Sequence, residues 1–352
     1  MSNRIPVAVL AATGSVGQRF IQLLDCHPYF EVMALTASDR SVGQKYSDAC
    51  HWVLPGEMPD WARDMVIQPT DPVSAALPLA FSALPAEAAK SVEPAFAKAG
   101  IIVCSNASAY RMESDVAILL PEVNPDHADI LTHQRQIRGW DGGIITNPNC
   151  TSTGMTVALK AIQDAFGLQS VFAVSMQAVS GAGYPGVASL DILDNVIPNI
   201  GGEEAKVETE PLKILGTFTG STINNAPFGI SAHTNRVAVG DGHMVCLSVK
   251  LSSPASIEEV NAALQHYRAP EISRDLPSAP DPVILVRSES DRPQPRLDRM
   301  TGKGMTTVVG RVRKDPLFDV KMVVLSHNTI RGAAGGSIYN AELLVRKGYL
   351  KN

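Results

Sequence analysis

VAVLAATGSVGQ, at residues 7–18, joins an apolar strand to a helix through a short turn that contains glycine. The helix-like segment begins at Val16. Gly14 would let the backbone approach a pyrophosphate closely, and Gly17 would let the helix pack against the strand. The pattern favours a dinucleotide site on the helix N-terminus. Ala11 stands where such a site usually has its first glycine, so a strand–helix turn without a ligand is the alternative.

Strand-like and helix-like segments alternate along the first 150 residues. Short apolar strands separated by amphipathic helices predict a parallel sheet covered on both faces, which is an α/β fold of the Rossmann, dinucleotide-binding type. We predict that this domain spans residues 1–149. The segments are Val7–Leu10, Val16–Leu24, Glu31–Thr36, Leu79–Ser82, Ala86–Lys98 and Ile101–Cys104.

After residue 150 the strands become longer and partly alternate between apolar and polar residues. This pattern predicts an α+β catalytic and dimerisation domain at residues 150–327, with a mostly antiparallel sheet and a homodimer or homotetramer. A helix within residues 328–352 would return to the first domain, and residues 270–295 are predicted to run over the surface. The predicted strands are Val171–Gln177, Met244–Leu251, Thr306–Val312 and Val320–Leu325.

Composition limits the ligands that we expect. The 352 residues are 45% hydrophobic and 18% charged, with a formal net charge of -5, which favours a small-molecule enzyme over a protein that binds nucleic acid or an anionic membrane. No apolar run approaches the ~20 residues of a membrane span, and the amino terminus has no signal-peptide pattern. Five cysteines without a C-x-x-C pair predict a cytoplasmic protein with neither a disulfide framework nor a metal site.

The end of the second predicted strand bears on the choice of dinucleotide. An NAD site normally has an acidic residue there, which binds the ribose 2′-hydroxyl. Residues 36–41 read TASDRS, in which Ser38, Arg40 and Ser41 suit a 2′-phosphate and predict NADP. Asp39 keeps NAD open, and an Arg40 that simply faces solvent is the alternative.

Cys150 is the strongest candidate for a catalytic residue. It lies in TNPNCTSTG, residues 146–154, between an apolar run and a helix-like stretch that begins at Met155. The turn that contains proline would hold it at the start of the helix, where unpaired N–H groups and the helix dipole favour a thiolate. A thiolate beside a nicotinamide predicts the reduction of an activated acyl group to an aldehyde, or the reverse reaction, through a thioester.

Such a reaction also requires a proton donor and groups that bind anions. Residues 233–243 read HTNRVAVGDGH, and the residues alone do not decide whether His243 or His233 is the general acid and base. Arg236 would bind a substrate carboxylate through two parallel hydrogen bonds.

Three more charged residues are candidates for binding the substrate. Glu203 and Lys206 are three residues apart and share a predicted helix face. They form either a solvated ion pair or a site in which Lys206 binds phosphate and Glu203 binds an ammonium group. Arg111 is a second phosphate candidate, or else a surface arginine.

Ordered motifs along essentially the whole chain are similar to those of the aspartate-β-semialdehyde dehydrogenases, in the branch found in archaea, fungi and some bacteria. They are TGSVGQ, ASDRSVG, SNASAYR, NPNCT, QAVSGAGYPG, DNVIPNIGGEE, NRV followed by DGH, DRPQPRLD and RGAAGG. The resemblance implies the NADPH-dependent reduction of L-aspartyl 4-phosphate to L-aspartate 4-semialdehyde with release of phosphate. This reaction feeds the synthesis of lysine, threonine, methionine and isoleucine.

The resemblance also implies a role for each matched position. Cys150 would be the nucleophile and His243 the general acid and base, with Gln177 beside the acyl group. The implied substrate contacts are Arg236 for the carboxylate, Glu203 for the amino group, Arg111 and Lys206 for phosphate, and Asn149. The implied cofactor contacts are Thr13, Gly14, Ser15, Val16, Gly17, Ser38, Arg40, Ser41, Ser82 and Asn328.

Other functions are open at this point. A reductase for a CoA thioester such as malonyl-CoA, or for N-acetylglutamyl phosphate, would use the same cysteine chemistry. Glu203 argues against both, because these substrates lack the ammonium group that its carboxylate would bind. A non-catalytic NADP-binding sensor with Cys150 as a redox switch would leave Arg236 and His243 without a purpose.

Overall fold

The computed structural model describes residues 4–351. Within these residues the amino-terminal half is built on a five-stranded parallel sheet with the order β2-β1-β3-β4-β5. All residues of β3, β4 and β5 are buried, as expected for strands covered on both faces. The strands are β1 (Ile5–Leu10), β2 (Phe30–Leu35), β3 (Leu79–Ser82), β4 (Ile102–Ser105) and β5 (Gly143–Thr146).

The helices of this half complete the predicted α/β dinucleotide-binding fold, which is confirmed. They are α1 (Ser15–Leu24), α2 (Tyr46–Ala49), α3 (Asp60–Arg63), α4 (Ala86–Lys98) and α5 (Ile130–Arg138). The chain passes from β1 to β2 on one side and then to β3 on the other side of β1. A ligand cleft forms at such a reversal, outside the carboxyl ends of the two strands.

The carboxyl-terminal half of the described chain contains a six-stranded sheet with the order β11-β12-β13-β10-β6-β9. The three central pairs are antiparallel, and the pairs at both edges, β6–β9 and β11–β12, are parallel. Sequence reasoning missed β9, because this edge strand has few apolar residues and lacks the pattern of a core strand. It also missed β11, because its apolar run lies within a polar segment that was predicted to run over the surface. The strands are β6 (Leu168–Gln177), β9 (Gly229–Arg236), β10 (His243–Leu251), β11 (Ile284–Arg287), β12 (Thr307–Lys314) and β13 (Val320–Ser326), while β7 (Thr217–Phe218) and β8 (Ile223–Asn224) form a separate hairpin.

The long helix α6 (Cys150–Phe166) connects the two halves. It follows β5 of the first sheet, and its apolar residues lie in the hydrophobic core of the second sheet. Gly154 allows close packing on β13, since an added Cβ would lie 2.5 Å from the Cβ of Ser326. The first residue of α6 is therefore held between the two sheets. The other helices are α7 (Ser189–Ile192), α8 (Glu203–Ile214), α9 (Ile257–Gln265), α10 (Pro295–Asp298) and α11 (Gly335–Arg346).

The carboxyl-terminal helix α11 packs on the first sheet, where Ile338 and Leu343 belong to the same hydrophobic cluster as β1 and β3. Residues 270–295 do not simply run over the surface as predicted. Leu276 is buried in that cluster, and the segment also supplies β11. Its few apolar residues are therefore anchors for an otherwise polar segment.

The exact domain boundaries stay predictions, because α6 and α11 each join one half of the molecule to the other. Among residues 4–351, no helix is long and apolar enough to cross a membrane.

Candidate active site

Three neighbouring strands of the second sheet bring three predicted residues together, at the end of the sheet where β6 and β9 finish and β10 begins. Gln177 ends β6 and Arg236 ends β9, and the two are paired in the parallel register of these strands. His243 begins β10, which runs antiparallel to β6 and therefore starts where β6 ends. Residues that are distant in the sequence meet here because of the strand order.

Cys150 is the first residue of α6 and lines a cavity of about 460 Å³. The side chain of Asn149 caps the helix, since its Oδ1 accepts hydrogen bonds from the backbone N–H groups of Thr151 (2.9 Å) and Ser152 (3.1 Å). Gly332 packs against the cysteine, and an added Cβ there would lie 2.8 Å from the Cβ of Cys150. A helix cap and a backbone contact thus hold the cysteine in place.

The cavity is lined by all the predicted catalytic and substrate-binding residues except His243. His243 lies just behind it, since a Cβ added to the lining residue Gly181 would be 3.0 Å from Nε2 of His243 and 2.7 Å from Nη1 of Arg236. Sequence reasoning missed Gly181, whose lack of a side chain leaves space next to these two groups. The predicted residues that line the cavity are Val16, Arg111, Asn149, Cys150, Gln177, Glu203, Lys206, Arg236 and Asn328.

The surroundings of Cys150 act on its thiol in opposite directions. Burial raises the pKa of Cys150 to about 12, and the negative charge of Glu203 also raises it. Arg111, Arg236 and a hydrogen bond from the Thr151 backbone act in the opposite direction but do not compensate. Desolvation therefore opposes the effect of the helix N-terminus, and the thiolate stays a prediction.

His243, and not His233, belongs to the site. His233 is exposed on β9. His243 is buried, and its Nδ1 accepts a hydrogen bond from the backbone N–H of Ala178 (3.1 Å). Burial, helped by Arg236 and His327, lowers the pKa of His243 to about 3. The neutral ring therefore carries its proton on Nε2, which makes that nitrogen a hydrogen-bond donor.

Arg236 is buried and only partly engaged by protein groups. Its Nη1 donates to the carbonyl of Ala178 (2.8 Å), and this is the one hydrogen bond that its guanidinium makes within residues 4–351. Burial lowers its pKa, against the opposing effect of the Cys150 and Glu203 charges. A buried guanidinium with free donors is suited to bind a planar carboxylate.

Glu203 and Lys206 lie on the face of α8 that lines the cavity. Oε1 of Glu203 accepts a hydrogen bond from Nδ2 of Asn149 (2.6 Å), and Oε2 pairs with Nζ of Lys206 at 3.3 Å. The side chain of Glu203 is 8% exposed and that of Lys206 35%. A solvated ion pair is therefore the wrong description, because Glu203 is a buried carboxylate bound to the residue before Cys150.

Arg111 is also buried, so the alternative of a surface arginine is wrong. Its Nε and Nη2 donate to backbone carbonyls at 2.9 and 2.7 Å, and its Nη1 donates to Oε1 of Glu210 at 2.9 Å. Oε2 of Glu210 accepts the backbone N–H of Asn149 at 2.6 Å. Sequence reasoning missed Glu210, although its place seven residues after Glu203 sets both on one helix face.

The turn after β1 has the form of a phosphate site. A Cβ on Gly17 would lie 2.3 Å from the carbonyl oxygen of Ala11, so α1 can pack this closely only with glycine. Gly14 precedes α1, no side chain among the described residues caps the helix there, and a Cβ would meet only the Ala11 oxygen, at 3.6 Å. The bare helix N-terminus fits a dinucleotide phosphate. Ala11 itself has φ of +56°, a conformation that favours glycine.

The other predicted cofactor contacts are placed unequally. Ser82 does not reach the cavity, because it is fully buried and its hydroxyl donates to Oε1 of Glu93 (2.7 Å). Val16 and Asn328 line the main cavity, and Ser15 lines an adjoining one of about 250 Å³. Thr13 lies in the turn before α1. The remaining contacts lie in a short turn after β2, and they are Ser38, Arg40 and Ser41. Within residues 4–351, no cluster of three His, Cys, Asp or Glu side chains is placed to hold a metal ion.

Known families and relatives match the chain along nearly its whole length. Residues 6–130 match the family described as semialdehyde dehydrogenase, NAD binding domain, and residues 159–331 match semialdehyde dehydrogenase, dimerisation domain. The aspartate-semialdehyde dehydrogenase of Archaeoglobus fulgidus is 52% identical over 98% of this chain and 99% of its own. That of Methanothermobacter thermautotrophicus is 49% identical over 97% of this chain and 99% of its own.

Solved structures agree with the sequence comparisons. Aspartate semialdehyde dehydrogenase of Candida albicans, solved with NADP, matches with a TM-score of 0.90 and 42% identity over 99% of this chain and 100% of its own. Aspartate semialdehyde dehydrogenase II of Vibrio cholerae, solved in complex with ASA, matches with a TM-score of 0.75 and 27% identity over 98% and 99% of the two chains. The chain therefore belongs to the aspartate-semialdehyde dehydrogenase family.

Proposed function

We propose that the protein reduces L-aspartyl 4-phosphate to L-aspartate 4-semialdehyde with NADPH, releases phosphate, and also catalyses the reverse reaction. One observation carries the proposal. A single cavity at Cys150 contains two groups that suit phosphate, Arg111 and Lys206, and two that suit the charged ends of an amino acid, Arg236 and Glu203. The reaction provides a precursor of lysine, threonine, methionine and isoleucine.

A CoA-thioester reductase is disfavoured by the buried carboxylate of Glu203. Its oxygens lie beside Asn149 and Lys206 in the cavity, where an ammonium group can join them and a malonyl group offers no partner. The relatives reported above are also named aspartate-semialdehyde dehydrogenases. A non-catalytic redox sensor would not need the anion-binding groups around the cysteine.

NADP is the proposed cofactor. The Candida albicans relative was solved with NADP. The uncapped N-terminus of α1 at Gly14 suits the diphosphate, and the exposed Arg40 suits the 2′-phosphate. When bound, the nicotinamide supplies the hydride that reduces the acyl carbon.

Substrate binding depends on charge pairing. Arg236 binds the α-carboxylate through its free guanidinium donors, and Glu203 binds the ammonium group. Arg111 and Lys206 bind the phosphoryl group and stabilise the phosphate as it leaves. Asn149 contacts both Glu203 and the start of α6, and so joins the substrate site to the nucleophile.

The covalent step is the attack of Cys150 on the acyl carbon, in which the S–C bond forms, the bond between that carbon and the phosphate oxygen breaks, and the thiol proton ends on the released phosphate. A thiol with a pKa of about 12 is a small fraction thiolate at neutral pH, but that thiolate is strongly nucleophilic and is held in place by the cap of α6. The Nε2–H of the neutral His243 ring donates a hydrogen bond to the oxygen that develops charge when the thioester is reduced, and Gln177 contacts the acyl group.

The test is an assay of the purified protein with L-aspartate semialdehyde, phosphate and NADP⁺, followed by the absorbance of NADPH. We expect NADPH formation that requires phosphate. Malonate semialdehyde with CoA in place of phosphate is the comparison. An equal or faster rate with that pair, or no dependence on phosphate, would overturn the proposal.

The assembly of the protein and its location in the cell are proposed in less detail than its reaction. The outer face of the second sheet carries half-buried apolar side chains, among them Phe172, Val174, Met176 and Met244, which suit a contact with a second copy of the chain. Residues 159–331 match a family described as a dimerisation domain. A homodimer or homotetramer in the cytoplasm, expected from the sequence, stays a prediction.

A further inference from the structure

The charged residues on one face of α8 form two groups, of which one lines the cavity and the other is buried beside it. Glu203 and Lys206 line the cavity. One and two turns further along, Glu210 and Lys213 do not line it, and both are buried, with relative exposures of 2% and 4%. The spacing of three, four and three residues keeps all four side chains on one helix face.

Glu210 bonds to two elements of the active site at once. Its Oε1 accepts a hydrogen bond from Nη1 of Arg111 at 2.9 Å, and its Oε2 accepts the backbone N–H of Asn149 at 2.6 Å. Asn149 is the cap of α6 and the residue before Cys150. One carboxylate therefore joins the phosphate-binding guanidinium to the turn that carries the sulfur.

Lys213 holds the same loop by its backbone. Its Nζ donates to the carbonyl oxygens of Arg111 (2.7 Å) and Glu113 (2.6 Å). Burial lowers the pKa of Lys213 to about 8, and the nearby carboxylates oppose this shift. The loop of Arg111 is thus attached to α8 through both its side chain and its backbone, and Glu210 is the only one of these anchors that also reaches the start of α6.

We propose that Glu210 is a positioning residue, which fixes the guanidinium of Arg111 relative to the sulfur of Cys150 so that a phosphate can be bound and expelled beside the acyl carbon. This inference rests on the proposed reaction. Glutamine cannot replace the carboxylate fully, because the amide offers one acceptor oxygen and one NH₂ group to two N–H donors. One of the two bonds is therefore lost in Glu210→Gln, while the volume of the side chain is kept.

The experiment measures steady-state kinetics of Glu210→Gln with L-aspartate semialdehyde, phosphate and NADP⁺. We expect KM for phosphate to rise by about tenfold or more and kcat to fall, whereas KM for NADP⁺ changes by less than about twofold. Glu208→Gln is the matched control. Glu208 lies on the same helix and accepts a backbone N–H from Ala232 at 3.0 Å, but it contacts neither Arg111 nor Asn149. Its KM for phosphate should match that of the parent.

Equal increases of KM for all three substrates, or an unchanged KM for phosphate in folded Glu210→Gln, would overturn the inference. If Glu210→Gln does not fold, Arg111→Gln is compared with the double variant Arg111→Gln/Glu210→Gln, which removes both charges of this buried pair together. If Glu210 acts through Arg111, adding Glu210→Gln to Arg111→Gln should raise KM for phosphate by less than about twofold. A further tenfold increase would contradict the proposal. A parent protein without phosphate-dependent activity would instead refute the proposed function.

Discussion

The two sides of the active-site cleft are built in different ways. The side formed by the turn after β1 offers backbone, with Gly14, Gly17 and an uncapped helix N-terminus. The other side, formed by the strand ends of the second sheet, α8 and the loop of Arg111, offers charged side chains with buried hydrogen-bond partners, as Arg111 has in Glu210. A site made of backbone depends on space, and a site made of buried charges depends on pairing and protonation. The two sides should therefore fail in different ways.

Loss of the sulfur should have the largest effect. Cys150→Ser removes the nucleophile but changes little volume, so we expect the rate with semialdehyde, phosphate and NADP⁺ to fall by about 10⁴-fold or more, with thermal unfolding close to that of the parent. The exposed cysteine offers a control, since Cys26→Ser should keep the parent rate. A Cys150→Ser protein as active as the parent would remove the covalent mechanism.

The backbone side can be tested with a pair of glycines. In Gly17→Ala the new methyl meets the Ala11 carbonyl oxygen at 2.3 Å, so the free energy of unfolding should fall by about 1–3 kcal/mol. In Gly14→Ala the nearest atom is 3.6 Å away, so stability should be unchanged and NADP⁺ affinity reduced, because the methyl projects where the phosphate is expected. Urea unfolding measures the stability of each variant, and NADP⁺ titration measures its affinity for the cofactor. Equal destabilisation by the two variants would contradict the distinction.

On the side of the cleft that is made of side chains, the contribution to stability should be the more sensitive to acid. Burial lowers the pKa of His243 to about 3, so the ring stays neutral in the folded protein but becomes protonated in the unfolded chain below about pH 6.5. Its contribution to stability is therefore present above about pH 6.5 and is lost as pH falls, by about 2 kcal/mol between pH 7 and pH 5.

Urea unfolding of His243→Gln at several pH values checks this effect. The variant should lose less stability on acidification than the parent, by about the same 2 kcal/mol. The exposed His233 provides the control, because His233→Gln should retain the pH dependence of the parent. Identical slopes for His243→Gln and the parent would show that the buried ring does not cause the acid sensitivity.

What could be predicted from the sequence follows the same division. The turn at residues 11–17 is contiguous, and the roles of Gly14 and Gly17 could be inferred from the strand, the turn and the helix alone. The position of Cys150 next to the start of a helix was also predictable, because proline and asparagine before an apolar run mark such a start, although the helix begins at Cys150 and not at the predicted Met155.

The rest depended on burial and strand order, which the sequence does not contain. His243 could be separated from His233 only by the resemblance, since their opposite exposure follows from which strand each one occupies. The thiolate of Cys150 stays a prediction, because the helix dipole that favours it can be inferred from the sequence whereas the desolvation that opposes it cannot. Glu210 was missed because a helix rich in glutamate and lysine is typical of a solvated surface.

The smallest effect is expected at Ala11, where the backbone side departs from its own pattern. Ala11 has φ of +56°, so Ala11→Gly should relieve strain and raise the free energy of unfolding by up to about 1 kcal/mol, reduced somewhat by the greater freedom of glycine in the unfolded chain. The adjacent Ala12 is fully buried and has no such backbone angle, so Ala12→Gly should destabilise by about 1 kcal/mol. Opposite signs in urea unfolding would show that the conformation of the turn, and not the loss of a methyl group, sets the effect. A destabilised Ala11→Gly would mean that the Ala11 methyl makes packing contacts worth more than the strain it imposes.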